Sequence, residues 1–259
     1  MGVAKANGVS IHYREAGTGP ALLLLHAFPL HAGMWEPQLR GLAATYRVIA
    51  PDARGFGDSP ESVDVLTMET IADDAVALLA GLGVSEAIVC GLSMGGYAAL
   101  AFLRRHSGFV RGLVLADTRA TADTSEGKSG RENFALDAIA KGAGWVADAM
   151  LPRLLRKEPD PAAAASVRGM IAGARTGSIA AASRGLARRA DSTDLLPSIR
   201  VPTLVVVGQE DLLTPPADAR SMRAAIPGSH LVEIPGAAHL SNLENPDAFN
   251  AAIVGLGRA

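Results

Sequence analysis

The stretch Ala87-Ile88-Val89-Cys90-Gly91-Leu92-Ser93-Met94-Gly95-Gly96 runs from a short apolar segment into a helical pattern of small residues that continues to Leu103. A continuous apolar run of this length, ended by glycine, reads as a strand buried on both faces. A G-x-S-x-G segment between such a strand and a helix is the context of a nucleophile elbow, a sharp turn that lifts the serine hydroxyl clear of a sheet. Gly91 and Gly95 keep the turn free of side chains. Ser93 then stands at a helix N-terminus, where unpaired backbone N–H groups favour developing negative charge. A bare G-x-S-x-G is common in structural turns; the strand before it and the helix after it make Ser93 the expected nucleophile. The segment is not a nucleotide fingerprint, since it lacks the G-x-G-x-x-G order and no G-x-x-x-x-G-K-[ST] occurs in the chain.

The same rhythm extends outward from the elbow. Residues 10–14 alternate as a strand, and residues 21–25, 46–50, 113–115, 201–207 and 231–234 form further apolar runs. Met68, Ile71, Ala75, Leu78 and Leu82 recur at helical spacing. Strands alternating with helices predict an α/β fold with a mostly parallel, doubly wound sheet. Binding sites of such sheets lie beyond the carboxyl ends of the strands. Residues 121–197 break the rhythm. They show no strand pattern, are rich in Ala, Gly and Arg, and place Leu151, Leu154 and Leu155 at helical spacing. This segment reads as a helical cap inserted into a core formed by residues 1–120 and 198–259. With 259 residues, 49% of them hydrophobic, the chain is long enough to bury one large core.

A serine hydroxyl is a weak nucleophile and needs a base. On the elbow scaffold the acid and the base follow the nucleophile along the chain, in that order. Of the six histidines, His106, His230 and His239 follow Ser93. His106 closes the helix that begins at the elbow, and His230 opens the last strand, at the wrong end for chemistry. His239, in Gly236-Ala237-Ala238-His239, lies just beyond that strand at the carboxyl edge. The acid is expected at another strand end, and Val205-Val206-Val207-Gly208-Gln209-Glu210-Asp211 supplies Asp211. Pro215 and Pro216 suit the first turn of a following helix. Asp211 would hold the imidazole tautomer and stabilise the imidazolium, while Glu210 faces elsewhere. Two backbone donors should face the oxyanion. Met94 N–H is one. The other comes from His26-Ala27-Phe28-Pro29, where Pro29 has no N–H and Phe28 is left. For His26 a loop-shaping hydrogen bond is the expected role.

The chain resembles α/β-hydrolases of the branch that contains small serine carboxylesterases, 3-oxoadipate enol-lactonases and cofactor-free haloperoxidases. The resemblance covers nearly the whole length. It rests on His26-Ala27-Phe28-Pro29, Asp52-Ala53-Arg54-Gly55-Phe56-Gly57-Asp58-Ser59, Gly91-Leu92-Ser93-Met94-Gly95-Gly96, Gly208-Gln209-Glu210-Asp211 and Gly236-Ala237-Ala238-His239. These motifs are specific for fold and triad and weak for substrate. The resemblance implies that residues 52–59 form a structural turn. It also implies a second position for the acid, Asp117, at the end of the preceding strand. Alanine stands at position 27 where the family usually has glycine, so a positive φ there would strain the loop.

The expected activity is hydrolysis of small or medium carboxylic esters or lactones through an acyl-enzyme, with no metal or organic cofactor. Carbon–carbon bond hydrolases and acyltransferases share the triad and stay open at this point; a hydrolase-like receptor would usually lack a triad member. Trp145, Met150 and Met170 are candidate apolar lining from the cap, with packing inside the cap as their ordinary role. The cap is basic, carrying Arg153, Arg156, Lys157, Arg168, Arg175, Arg184, Arg188 and Arg189. The whole chain has a formal charge of -2, without the basic excess of a nucleic-acid binder. Its longest apolar stretch, around residues 21–25, is far too short for a membrane span. The single cysteine, Cys90, and an N-terminus without a signal-peptide core fit a cytoplasmic protein. The oligomeric state is not encoded in any motif.

Overall fold

The apolar runs become the middle of an eight-stranded sheet in a computed structural model that describes residues 1–60 and 64–256. Its strands are β1 (Gly2–Ala6), β2 (Val9–Ala16), β3 (Ala21–Leu25), β4 (Arg47–Pro51), β5 (Ala87–Leu92), β6 (Val110–Ala116), β7 (Thr203–Gly208) and β8 (His230–Ile234). The spatial order is β1-β2-β4-β3-β5-β6-β7-β8. β2 pairs antiparallel with β1 and β4, and every pair from β4 to β8 is parallel. β3, β5 and β7 are buried along their whole length, as expected for strands covered by helices on both faces. Leu23 lies opposite Val89, and Val89 opposite Leu113, so the core runs as a continuous apolar row across the sheet.

The helices are α1 (Glu36–Gly41), α2 (Met68–Gly81), α3 (Met94–His106), α4 (Ser125–Leu154), α5 (Pro161–Ala172), α6 (Thr176–Arg188), α7 (Pro216–Ala225), α8 (Ser241–Glu244) and α9 (Pro246–Leu256). α2 starts where the Thr67 hydroxyl accepts from Thr70 N–H, and it buries Ile71, Ala75 and Leu78, the residues at helical spacing.

Three of these helices, α4 to α6, lie between β6 and β7, and no strand interrupts them among the described residues. α4 packs against both α5 and α6. It is broken at Gly142, whose φ of 88° and ψ of 169° leave helical space and are readily reached only by glycine. α6 is fastened to the core: Leu66 N–H donates to Ala181 O at 3.0 Å, and a side chain at Gly185 would run into the Leu66 carbonyl. Residues 257–259, the end of the predicted core, lie outside the described residues.

Candidate active site

β5 ends in the elbow. Ser93 has φ 56° and ψ -112°, a conformation that costs a non-glycine residue about 1–3 kcal/mol and needs surrounding structure to hold it. That structure is present. Ser93 N–H donates to Ala116 O at 2.9 Å, and the Thr118 hydroxyl donates to Ser93 O at 2.9 Å. The motif glycines are explained by contact: a side chain at Gly91 would meet the Gly95 carbonyl, and one at Gly95 would meet the Leu25 carbonyl.

The Ser93 hydroxyl lies 2.8 Å from His239 Nε2, and His239 Nδ1 lies 2.9 Å from Asp211 Oδ2. The network fits one tautomer, with Nδ1–H donating to Asp211 and Nε2 accepting from Ser93. Asp211 and His239 are buried, while Ser93 is partly open. Asp211 also accepts from Leu213 N–H at 2.8 Å, from Thr214 N–H at 3.0 Å and from the Thr214 hydroxyl at 2.6 Å. Burial pushes the Asp211 carboxyl up, but its hydrogen bond to His239, the imidazole charge and the Thr214 donors together bring it below its ordinary value. Glu210 is exposed beside it.

Asp117 takes no part in this chain of bonds. Its Oδ1 accepts from Gly208 N–H at 2.8 Å and its Oδ2 from the Ser241 hydroxyl at 2.5 Å. Complete burial, and then the negative charge of Asp211, raise its carboxyl well above the usual range.

Two partners of the histidine loop gave no sequence signal. The Glu244 carboxylate accepts from Ala238 N–H at 2.7 Å and from Arg156 N–H at 2.9 Å. Leu240 N–H donates to Leu154 O at 3.0 Å. The residues flanking His239 are thus tied to the end of α4. A side chain at Gly208 would strike the Ala238 carbonyl, which is why the loop can cross so close to β7.

The loop after β3 is built around His26. Its Nδ1–H donates to Ala27 O at 3.0 Å and its Nε2 accepts from Ala53 N–H at 3.0 Å. Burial drives the imidazole down to about 4, so it is neutral near pH 7. The strain anticipated at Ala27 is absent: the non-glycine residues with positive φ are Asn7, Ser93 and Asp117 among the described residues. Ala27 N–H points to Met34 Sδ, and Phe28 N–H has no protein acceptor among the described residues. Met94 is the first residue of α3, where N–H groups lack an intrahelical partner. The turn at residues 52–59 is closed by Asp52, whose carboxylate accepts from Ala32 N–H at 2.7 Å and Asp58 N–H at 3.1 Å.

Ser93, His239 and Phe28 open onto a cavity of about 340 Å³. Of the expected cap residues, Met150 lines it. Trp145 does not, because it packs against Phe134, which does (ring centroids 5.5 Å apart). Met170 is off the lining as well: it is buried, with its sulfur beside Gly33. Among the described residues no group of three or more His, Cys, Asp or Glu side chains is placed to hold a metal ion, and no helix is long and apolar enough to cross a membrane.

The family model for the alpha/beta hydrolase fold matches residues 20–246. The chain belongs to the α/β-hydrolase family. Among solved structures, this α/β-hydrolase is similar to a thermophilic esterase from Thermogutta terrifontis, with 41% identity, a TM-score of 0.95, and coverage of 99% of this chain and 96% of that one. It is also similar to the enol-lactonase from Burkholderia xenovorans LB400, with 32% identity, a TM-score of 0.92 and full coverage of both chains. Among curated sequences, 3-oxoadipate enol-lactonase 1 of Acinetobacter baylyi is 29% identical over 250 residues, 93% of this chain and 90% of that protein.

Proposed function

We propose that this α/β-hydrolase cleaves carboxylic esters or lactones of small to medium size through an acyl-enzyme on Ser93. The observation that carries the reading is the unbroken hydrogen-bond chain Ser93–His239–Asp211 at the floor of a cavity. The esterase and enol-lactonase names of its relatives point to the same bond type. In this reading Ser93 Oγ attacks the carbonyl carbon and His239 Nε2 takes its proton. The N–H groups of Met94 and Phe28 face the tetrahedral oxyanion, each donor contributing on the order of 3 kcal/mol to its stabilisation. Collapse expels the alkoxide, which takes the proton from His239; in a lactone it stays attached to the acyl chain. Water then attacks the acyl-enzyme, with the same histidine as base, and releases the acid and free Ser93. Asp211 keeps the proton on Nδ1 and stabilises the imidazolium. Residues 121–197 act as the cap that limits substrate size.

A fluorophosphonate probe and a panel of aryl esters and lactones test the reading. The probe should label wild type and not Ser93→Ala, and the variant should lose hydrolysis by several powers of ten with its fold unchanged. Retention of more than about a tenth of wild-type activity would remove Ser93 from the role of nucleophile.

A further inference from the structure

His239 is held by more than its ring. Nδ1 donates to Asp211, but Nε2 stays 2.8 Å from Ser93 Oγ only if the backbone around it keeps its place. Glu210 N–H donates to Ala237 O at 2.9 Å, and Leu240 N–H donates to Leu154 O at 3.0 Å. Ala238 N–H, in the residue before the histidine, donates to Glu244 Oε2 at 2.7 Å. Among the described residues Glu244 is the one side chain that accepts from the backbone of residues 237–240.

Glu244 acts from a fixed base. It closes α8, whose first residues are buried and locked into the core: the Ser241 hydroxyl donates to Asp117, and Asn242 Nδ2 donates to Met34 O at 2.9 Å and to Gln38 Oε1 at 3.1 Å. From there the carboxylate spans two elements, with Oε2 on Ala238 N–H and Oε1 on Arg156 N–H at 2.9 Å, just past the end of α4. Both partners are donors, so both oxygens must accept. An ionised carboxylate does this. A carboxamide has one acceptor oxygen and would set its NH₂ against the other N–H, and a protonated acid likewise turns one oxygen into a donor. Burial raises the half-buried Glu244 carboxyl above its ordinary value; the two N–H donors and the Arg156 charge pull it down, and the Glu210 charge pushes it up. Its charge also reaches Asp117. Glu244 therefore takes up a proton in milder acid than a free glutamate does.

We propose that Glu244 is a positioning residue for the base: its carboxylate, accepting from Ala238 N–H and Arg156 N–H at once, holds the His239 turn against the end of α4 and keeps Nε2 aimed at Ser93. The role rests on the serine mechanism proposed above, in which His239 moves the proton. The test is Glu244→Gln with 4-nitrophenyl acetate as substrate. kcat should fall by about tenfold or more while KM stays within about twofold, because a misaimed base slows proton transfer without touching the substrate. In proton NMR the low-field resonance of the Nδ1–H shared with Asp211 should shift or broaden in the variant. Wild-type kcat, a loss carried by KM alone, or an unchanged resonance would overturn the assignment. If the variant fails to fold, wild type decides alone. On acidification its kcat should first fall with a logarithmic slope of one as His239 protonates, then steepen toward two as Glu244 protonates as well. A slope of one down to the pH of acid unfolding would overturn the role. If wild type does not cleave the ester at all, the ester-hydrolase reading fails, and the Nδ1–H resonance still decides whether Glu244 positions His239.

Discussion

Asp211 and Asp117 follow neighbouring strands, yet their surroundings fit them for different tasks. Asp211 meets His239 Nδ1 at 2.9 Å and is held below its ordinary value, so it is an anion facing an imidazole. Asp117 is buried with backbone and hydroxyl donors and is pushed well above its ordinary value. Asp211→Asn keeps the size but can hold the wrong imidazole tautomer, so turnover should fall by about 10⁴. Asp117→Asn keeps the size and the buried contacts: its amide oxygen can accept from Gly208 N–H and its NH₂ can donate to the Ser241 hydroxyl oxygen. That variant should keep activity within a few-fold. A large loss in Asp117→Asn with little in Asp211→Asn would reverse the assignment. His26 makes a separate prediction about acid. Its folded value of about 4 lies below the 6.5 of the free side chain. Above pH 6.5 both states are neutral there. As pH falls from 6.5 to 4 the unfolded chain takes up a proton that the folded one refuses, so stability falls, by about 3 kcal/mol once pH is below 4. Urea midpoints at about pH 7.5 and about pH 4.5 measure this, and His26→Gln should show a shallower loss than wild type.

At the scale of elements, legibility followed burial. β3, β5 and β7 are covered on both faces, and their unbroken apolar runs stand out in the sequence. β1 was not foreseen. It is an edge strand paired only with β2, with Val3 and Lys5 exposed, so it shows no apolar run. The strand expected from residue 201 starts at Thr203 instead, because Pro202 has no N–H to give to the ladder. Ser93, Asp211 and His239 were legible because each sits just beyond a strand's carboxyl end and is flanked by glycine-containing turns. Glu244 and Thr214 were not, since a carboxylate that binds backbone N–H groups needs no particular sequence pattern. Of the three apolar cap residues expected as lining, Met150 alone lines the cavity. Which face of α4 meets the cavity depends on the break at Gly142, a conformation that a glycine permits without announcing it. Trp145 and Met170 look like lining by composition, but their neighbours turn them into packing.

At the scale of the molecule, the end of α4 and the histidine loop are tied to each other. The end of α4 receives Leu240 N–H at Leu154 O, and Glu244 joins Arg156 to Ala238 on either side of the same turn. α6 is pinned separately through Leu66 and Ala181. The cavity between them, about 340 Å³, is at the small end of the range for small-molecule sites. If a long acyl chain displaced α4 outward, that movement would pull on the bonds beside His239. Oversized substrates should therefore lose kcat as well as affinity, because an imidazole displaced by even an ångström is costly to an in-place proton transfer. In a series of 4-nitrophenyl esters, kcat/KM should be highest for short to medium chains and lower by about tenfold or more for dodecanoate, with kcat falling too. Emulsified long-chain triglyceride should be turned over negligibly. A rise in kcat/KM through the long chains, or activation at a lipid interface, would show that α4 moves independently of the histidine loop.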